Sequence, residues 1–146
     1  MVKAQKATRE EESLVQALAR THHEVGVAFE REAGMSRSRM HLLASLRAAD
    51  EMTQSALQEL LGVDGAAITR QVKQLEADGV VQRRADPEDH RYTLVTLTPQ
   101  GRKLADAVVR KRDAFEARLA TAAPAKDLAA LTKTLEKLRD AARSKK

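Results

Sequence analysis

The stretch Thr53-Gln54-Ser55-Ala56-Leu57-Gln58-Glu59-Leu60-Leu61-Gly62-Val63-Asp64-Gly65-Ala66-Ala67-Ile68-Thr69-Arg70-Gln71-Val72-Lys73-Gln74-Leu75-Glu76-Ala77-Asp78-Gly79 decides the fold. Thr53 can N-cap a short helix through Leu57, Leu60 and Leu61. Gly62 supplies the permissive backbone for a tight turn, with Val63 packing under it. Asp64 can cap a second helix in which Ile68, Val72 and Leu75 face inward while Thr69, Arg70, Lys73 and Gln74 point elsewhere, and Gly79 ends it. Two short helices joined through a glycine turn make a helix-turn-helix.

Working downstream, the period changes after Gly79. Val80 to Arg84 and Tyr92 to Thr98 are β-prone, and Thr93, Val95 and Leu97 alternate with Leu94, Thr96 and Thr98. They frame a hairpin around the polar loop Ala85-Asp86-Pro87-Glu88-Asp89-His90-Arg91, which places a wing directly after the helix-turn-helix. Thr98-Pro99 starts a long helix, with Leu104, Val108, Phe115 and Leu119 on one stripe, that ends at Ala123-Pro124. The last helix carries Leu128, Leu131, Leu135, Leu138 and Ala142 at the alternating spacing of a heptad seam.

Upstream, Ser36 can cap a helix with Met40, Leu43 and Leu46 inward, stopping near Ala49-Asp50. Leu14, Leu18, His22, Val25 and Phe29 mark one face of a first helix ending near Gly34. The expected fold is mainly α with a small β wing. Residues 1–10 form a flexible basic tail, 11–34 and 99–146 are dimerisation helices, and 35–98 are a winged helix-turn-helix lobe, all in one intertwined domain. The heptad seam and the flanking helices exceed what so small a core can cover, which predicts a homodimer.

Composition sets the outer limits. In 146 residues, two Phe, one Tyr and no Trp leave the core to Leu, Val, Ile, Met and Ala. The absence of cysteine excludes disulfides, a thiolate nucleophile and thiol-based peroxide sensing. No long apolar run exists, and Met1-Val2-Lys3-Ala4-Gln5-Lys6 lacks the apolar core of a secretory leader, which predicts a cytosolic protein with no membrane partner. The net charge of +5 favours an anionic partner.

The segment from Thr53 to Gly101, with its Thr69-Arg70 pair, its wing Asp86-Pro87-Glu88-Asp89-His90-Arg91 and its exit Val95-Thr96-Leu97-Thr98-Pro99-Gln100-Gly101, resembles the MarR/SlyA family of bacterial winged-helix regulators. With the flanking helices the likeness extends over nearly the whole chain. The resemblance implies a homodimeric, sequence-specific transcriptional regulator of the bacterial or archaeal cytosol, associated with the nucleoid. Two winged lobes would dock on a pseudo-palindromic operator of double-stranded DNA, and a small effector would loosen repression.

Carried over residue by residue, Thr69 and Arg70 match the recognition-helix pair. Arg can donate twice to guanine, while the Thr hydroxyl can serve a base or phosphate and its methyl can meet thymine. Lys73, one turn on, fits a phosphate contact, and Arg91 matches the minor-groove arginine of the wing. Asp86 is expected to brace Arg91 or the loop, and Arg83 and Arg84 are candidates for backbone contact. Where many relatives begin the recognition helix with polar readers, this chain has Asp64-Gly65-Ala66-Ala67. Gly65 and Ala66 either permit close approach to DNA or merely weaken the turn. His90 in the wing is expected to have no regulatory role.

The resemblance also implies an effector crevice where the first, second and fifth helices meet. His22, Arg39, Met40 and His41 are the candidates here, and a small aromatic carboxylate or phenol fits them. No resident cofactor or metal is expected. A metal-responsive reading would draw on His22 or His23 with Glu24 and His41, and a dimeric interaction module without DNA binding is the other alternative. No nucleophile elbow, phosphate-binding glycine loop or His-Glu-x-x-His motif is present, so the chain is not expected to be an enzyme.

Overall fold

The computed structural model describes residues 12–144; the basic tail lies outside the described residues. Helices α1 (Leu14–Ala33) and α2 (Arg37–Ala49) lead into a short strand β1 (Glu51–Thr53). The helix pair α3 (Gln54–Leu61) and α4 (Gly65–Ala77) follows, then β2 (Val81–Ala85) and β3 (Thr93–Leu97). The long α5 (Pro99–Leu119), a 3-10 turn (Ala120–Ala122) and α6 (Ala125–Arg143) complete the chain.

The helix starts follow the hydrogen-bonding side chains that precede them. The hydroxyls of Ser36, Thr53 and Thr98 and the Asp64 carboxylate each accept a backbone N–H from the first turn of α2, α3, α5 and α4 respectively, and Ser13 with Gln16 closes a capping box on α1. Between α3 and α4 the turn depends on Gly62, whose φ of 63° is a left-handed conformation that side chains resist. Pro99 occupies the first turn of α5, where a missing amide hydrogen costs nothing.

The wing differs from the expected two-stranded hairpin. The strands lie one residue off the expected limits, and β1 adds a third, giving the antiparallel order β1-β3-β2 with Glu51 opposite Thr96 and Val81 opposite Leu97. As the central strand, β3 has both edges paired, and Leu94 and Val95, adjacent in sequence and therefore on opposite faces, are both buried.

One core joins the lobe to α5. Leu42, Leu43 and Leu46 of α2 meet Leu57 of α3, Ile68, Val72 and Leu75 of α4, Val81 and Val95 of the sheet, and Ala105 and Val108 of α5. Leu60 of α3 is 48% exposed. Phe29 and Phe115 pack at 5.2 Å between centroids where α1 crosses α5, and the Arg118 guanidinium lies over the Phe115 ring. Beyond that crossing the apolar positions lack cover. Leu14, Val15 and Leu18 of α1 are exposed, and no residue of α6 is buried, although Leu128, Leu131, Leu135 and Leu138 share its seam. Among the described residues, no helix is long and apolar enough to cross a membrane.

Candidate nucleic-acid interface and effector crevice

The first turn of α4 is built from small residues. Asp64 Oδ1 accepts the Ala67 N–H at 2.7 Å, and Gly65 and Ala66 stand exposed beside it. A Cβ placed on Gly65 would make only ordinary contact with Gln58, 3.6 Å away. One turn further, Arg70 and Lys73 are exposed, and neither has a hydrogen-bond or ion-pair partner among the described residues. Thr69 differs. Its hydroxyl donates to the Gly65 carbonyl at 2.7 Å and accepts from Gln54 Nε2 at 3.0 Å.

In the wing, the Arg91 guanidinium reaches into solvent, 84% exposed, and is steadied by Asp89, which takes bonds from Nε and Nη2 at 3.0 and 2.7 Å and from the Arg91 backbone N–H. The pairing holds the Asp89 carboxyl below the usual carboxylate range. Asp86, expected to brace Arg91 or the loop, accepts the Glu88 N–H and so fixes the turn; Arg91 belongs to Asp89. Arg83 and Arg84 do not project freely. Arg83 donates through Nε and Nη2 to Glu76 of α4 at 2.8 and 2.6 Å, depressing the Glu76 pKa, and Arg84 donates to Glu51 of β1 at 2.7 Å. Alternation along β2 sends these neighbours to opposite faces, and each meets a carboxylate there. The first pair ties β2 to α4, and the second ties β2 to β1 within the sheet.

Two cavities flank the junction of α1, α2 and α5. The larger, about 580 Å³, includes His22, Val25, Phe115 and Leu135 in its wall; the smaller, about 230 Å³, includes Met40, His41 and Val108. Phe29, Arg37 and Arg112 line both. The structure therefore brings His22, Met40 and His41 to the crevice but not Arg39. Residues two apart on a helix diverge by about 200°, so only one of Arg37 and Arg39 can face α1. Arg39 turns to α4 and pairs with Asp78 at 3.2 Å, its Nε buried without a partner.

Arg37 takes the crevice position. Its guanidinium lies along α1, with Nη1 3.0 Å from His22 Nε2 and Nε 3.3 Å from Glu30, whose carboxylate also accepts the Arg37 backbone N–H at 2.9 Å. That carboxylate is held below its ordinary pKa. Gly26 makes the cradle, since a Cβ there would come within 2.7 Å of Nη1. His22, Gly26 and Glu30 recur every four residues, and a glycine in the middle of a helical stripe is the overlooked signal from which this groove could have been found. His22 is itself exposed rather than packed in an apolar stripe. Among the described residues no group of three or more His, Cys, Asp or Glu is placed to hold a metal ion.

Residues 35–93 match the model of the MarR family. Over 131 residues, 90% of this chain and 80% of the relative, the sequence is 39% identical to the uncharacterized HTH-type transcriptional regulator YdgJ of Bacillus subtilis. The chain belongs to the MarR family. It is a winged-helix, DNA-binding transcriptional regulator, and not an enzyme. Among solved structures, the fold matches a cysteine-to-serine mutant of MarR from E. coli in complex with operator DNA, with 26% identity, a TM-score of 0.72, and coverage of 85% of this chain and 94% of that one. It also matches BpsR of Bordetella bronchiseptica, a protein whose DNA binding is regulated by 6-hydroxynicotinic acid. There the identity is 21%, the TM-score 0.73, and the coverage 84% of this chain and 96% of that one. This likeness concerns the fold alone.

Proposed function

We propose that this MarR-family protein is a homodimeric repressor, acting in the cytosol, that sets two winged lobes on a pseudo-palindromic operator and leaves it when a small aromatic anion enters the crevice between α1, α2 and α5. The observation that carries the reading is a set of exposed cations that staple no two elements together, since the Asp89 partner of Arg91 lies in its own loop. Arg70 and Lys73 are exposed on α4 with no partner among the described residues, and Arg91 is held out at the wing tip, whereas Arg83 and Arg84 are occupied by carboxylates. In the reading Arg70 contacts base edges, Lys73 a phosphate and Arg91 the minor groove. Asp89 steadies Arg91, and the small first turn at Gly65 and Ala66 admits the DNA backbone. The uncovered apolar faces of α1 and α6 support a second copy as the partner.

Release by a ligand is supported by the first turn of α2, which serves two neighbours. Arg37 lines the crevice, while Ser38 exchanges hydrogen bonds of 2.9 and 3.1 Å with Gln71 of α4, and Arg39 reaches Asp78. A carboxylate that draws Arg37 away from Glu30 and His22 shifts the turn that also holds the recognition helix. The cavity walls are mainly apolar, which suits an aromatic body behind that carboxylate.

A gel shift on the DNA upstream of the protein's own gene, repeated at rising salt, tests DNA recognition. Specific binding with a steep salt slope is expected. Arg70→Ala should relax preference at one or two base pairs, whereas Lys73→Ala should weaken all sequences alike and flatten the slope by about one unit. Equal losses on every sequence for both variants would overturn the base-reading role of Arg70. Adding 6-hydroxynicotinic acid or benzoate tests release; aromatic acids that change neither operator affinity nor melting temperature remove the effector from the reading.

A further inference from the structure

The hydroxyl of Thr69 has one hydrogen, and Gly65 takes it. The oxygen also accepts from Gln54 Nε2. Were the Gln54 amide turned over, the hydroxyl would give its hydrogen to Gln54 Oε1 instead of to Gly65, so in either orientation the Thr69 donor is spent inside the protein. Gln54 is the first residue of α3, and both it and Thr69 are half-buried at the junction with α4. Two hydrogen bonds from different directions fix the Thr69 rotamer with its oxygen turned inward. What remains for a ligand of the recognition helix is the methyl group and a single lone pair on an oxygen that is turned inward.

We infer that Gln54 is a specificity-determining positioning residue. By holding the Thr69 hydroxyl inside the helix-turn-helix it turns Thr69 into an apolar reader, selective for the 5-methyl group of a thymine in the major groove and unable to donate a hydrogen bond to a base. The inference rests on Thr69 being a base contact, and it narrows what that contact is. Of the groups Thr can offer DNA, the donor is spent and the oxygen already carries two bonds, while the methyl needs only van der Waals contact. Gln54 touches no DNA in this account. It acts through Thr69, and any direct contribution of α3 to phosphate binding is separate.

The test begins with the unaltered protein. The operator position that responds to Thr69→Ala in a binding-site selection is located, and its thymine is replaced by uracil in synthetic duplexes. Loss of the methyl should weaken binding about fourfold, the factor that corresponds to ~0.8 kcal/mol for one buried methylene-sized group. Thr69→Val, which keeps a methyl and drops the hydroxyl, should retain the thymine-over-uracil preference; Thr69→Ser should lose it. Gln54→Ala should bring the preference towards unity while leaving the salt slope and the urea midpoint near those of the parent. In a Thr69→Val background, Gln54→Ala should change the preference no further. A preference that follows Ser rather than Val, or that survives Gln54→Ala intact, overturns the inference and leaves Thr69 a hydrogen-bonding reader. If no position responds to Thr69→Ala, Thr69 is not a base contact at all, and the inference falls while the roles proposed for Arg70, Lys73 and Arg91 stand.

Discussion

At Gly101 the first turn of α5 is pressed against the start of the wing. A Cβ built there would stand 1.9 Å from the Val80 carbonyl oxygen, and Thr98 binds the same stretch, its backbone N–H reaching Val80 O at 3.0 Å and its hydroxyl reaching Gly79 O at 2.6 Å. The glycine in the Leu-Thr-x-x-Gly exit is thus a contact requirement between two backbones. Gly101→Ala should lower the unfolding free energy by about 3 kcal/mol, the upper end for overpacking, because a carbonyl cannot swing aside as a side chain can; a urea melt reads this directly. Gly65 is the opposite case. Nothing in the chain forbids a side chain there, and an alanine should favour the helix by up to about 1 kcal/mol. Any use of the missing Cβ therefore lies outside the protein, the alternative being that Gly65 only weakens the turn. Gly65→Ala should raise the melting temperature and weaken operator binding several-fold; unchanged binding would reduce Gly65 to a weak first turn.

The elements were legible where their signals are local. Ser36, Thr53, Asp64 and Thr98 each announce a helix within three residues, and each caps one. Strand β1 has only Glu51, Met52 and Thr53, too short for any alternation, and it exists because β3 offers an edge more than 40 positions later. Arg37 stayed hidden for the same reason: its cradle at Gly26 is on another helix. Asp89 and Asp86 are equivalent by composition, and only the turn geometry decides which meets Arg91.

Between elements, exposed ion pairs act as staples. Glu30 joins α1 to Arg37 of α2, Asp106 joins α5 to Arg47 of α2, and Glu76 joins α4 to Arg83 of β2. Guanidinium hydrogen bonds depress the Asp106 and Glu76 carboxyls, and the Arg37 backbone N–H leads for Glu30. Groups with depressed folded values contribute stability that is complete above the ordinary carboxylate range and is lost as pH falls through the lower folded values. Thermal melts should therefore be flat from neutral pH down to that range and decline below it. The decline should be shallower in an Asp106→Asn, Glu76→Gln double variant, which starts from lower stability.

For the molecule as a whole, the informative surface is the one left uncovered. A single chain leaves α6 without a buried residue and the start of α1 apolar and exposed, as a short chain with few aromatics would. In sedimentation the parent should run as a dimer, and Leu131→Glu with Leu135→Glu should shift it towards the monomer. Operator affinity should fall with it, since two linked half-site contacts exceed either alone. The winged lobe should keep its fold, because neither residue belongs to its core. The seam was visible in the heptad spacing, and a second copy was the partner expected for it, but the residues that would meet it were not, because a sequence gives the period of an apolar face without the geometry of what lies against it.

Thr53 belongs at once to β1, where it stands opposite Leu94, and to the cap of α3, where its hydroxyl takes the Ala56 N–H. The wing and the helix pair consequently share a residue, so α3 cannot tilt against the wing without unzipping a ladder, and α4 is held to β2 separately by Glu76 and Arg83. Each lobe is a rigid jaw, and in the proposed dimer two of them would make a caliper whose only adjustable quantity is the gap. Such a device measures length. Inserting one base pair between the half-sites turns the second site by roughly a tenth of a turn and moves it along the axis. Binding should drop sharply and in a stepwise manner with spacer length, while single substitutions in the spacer that leave its length intact should be read far more weakly.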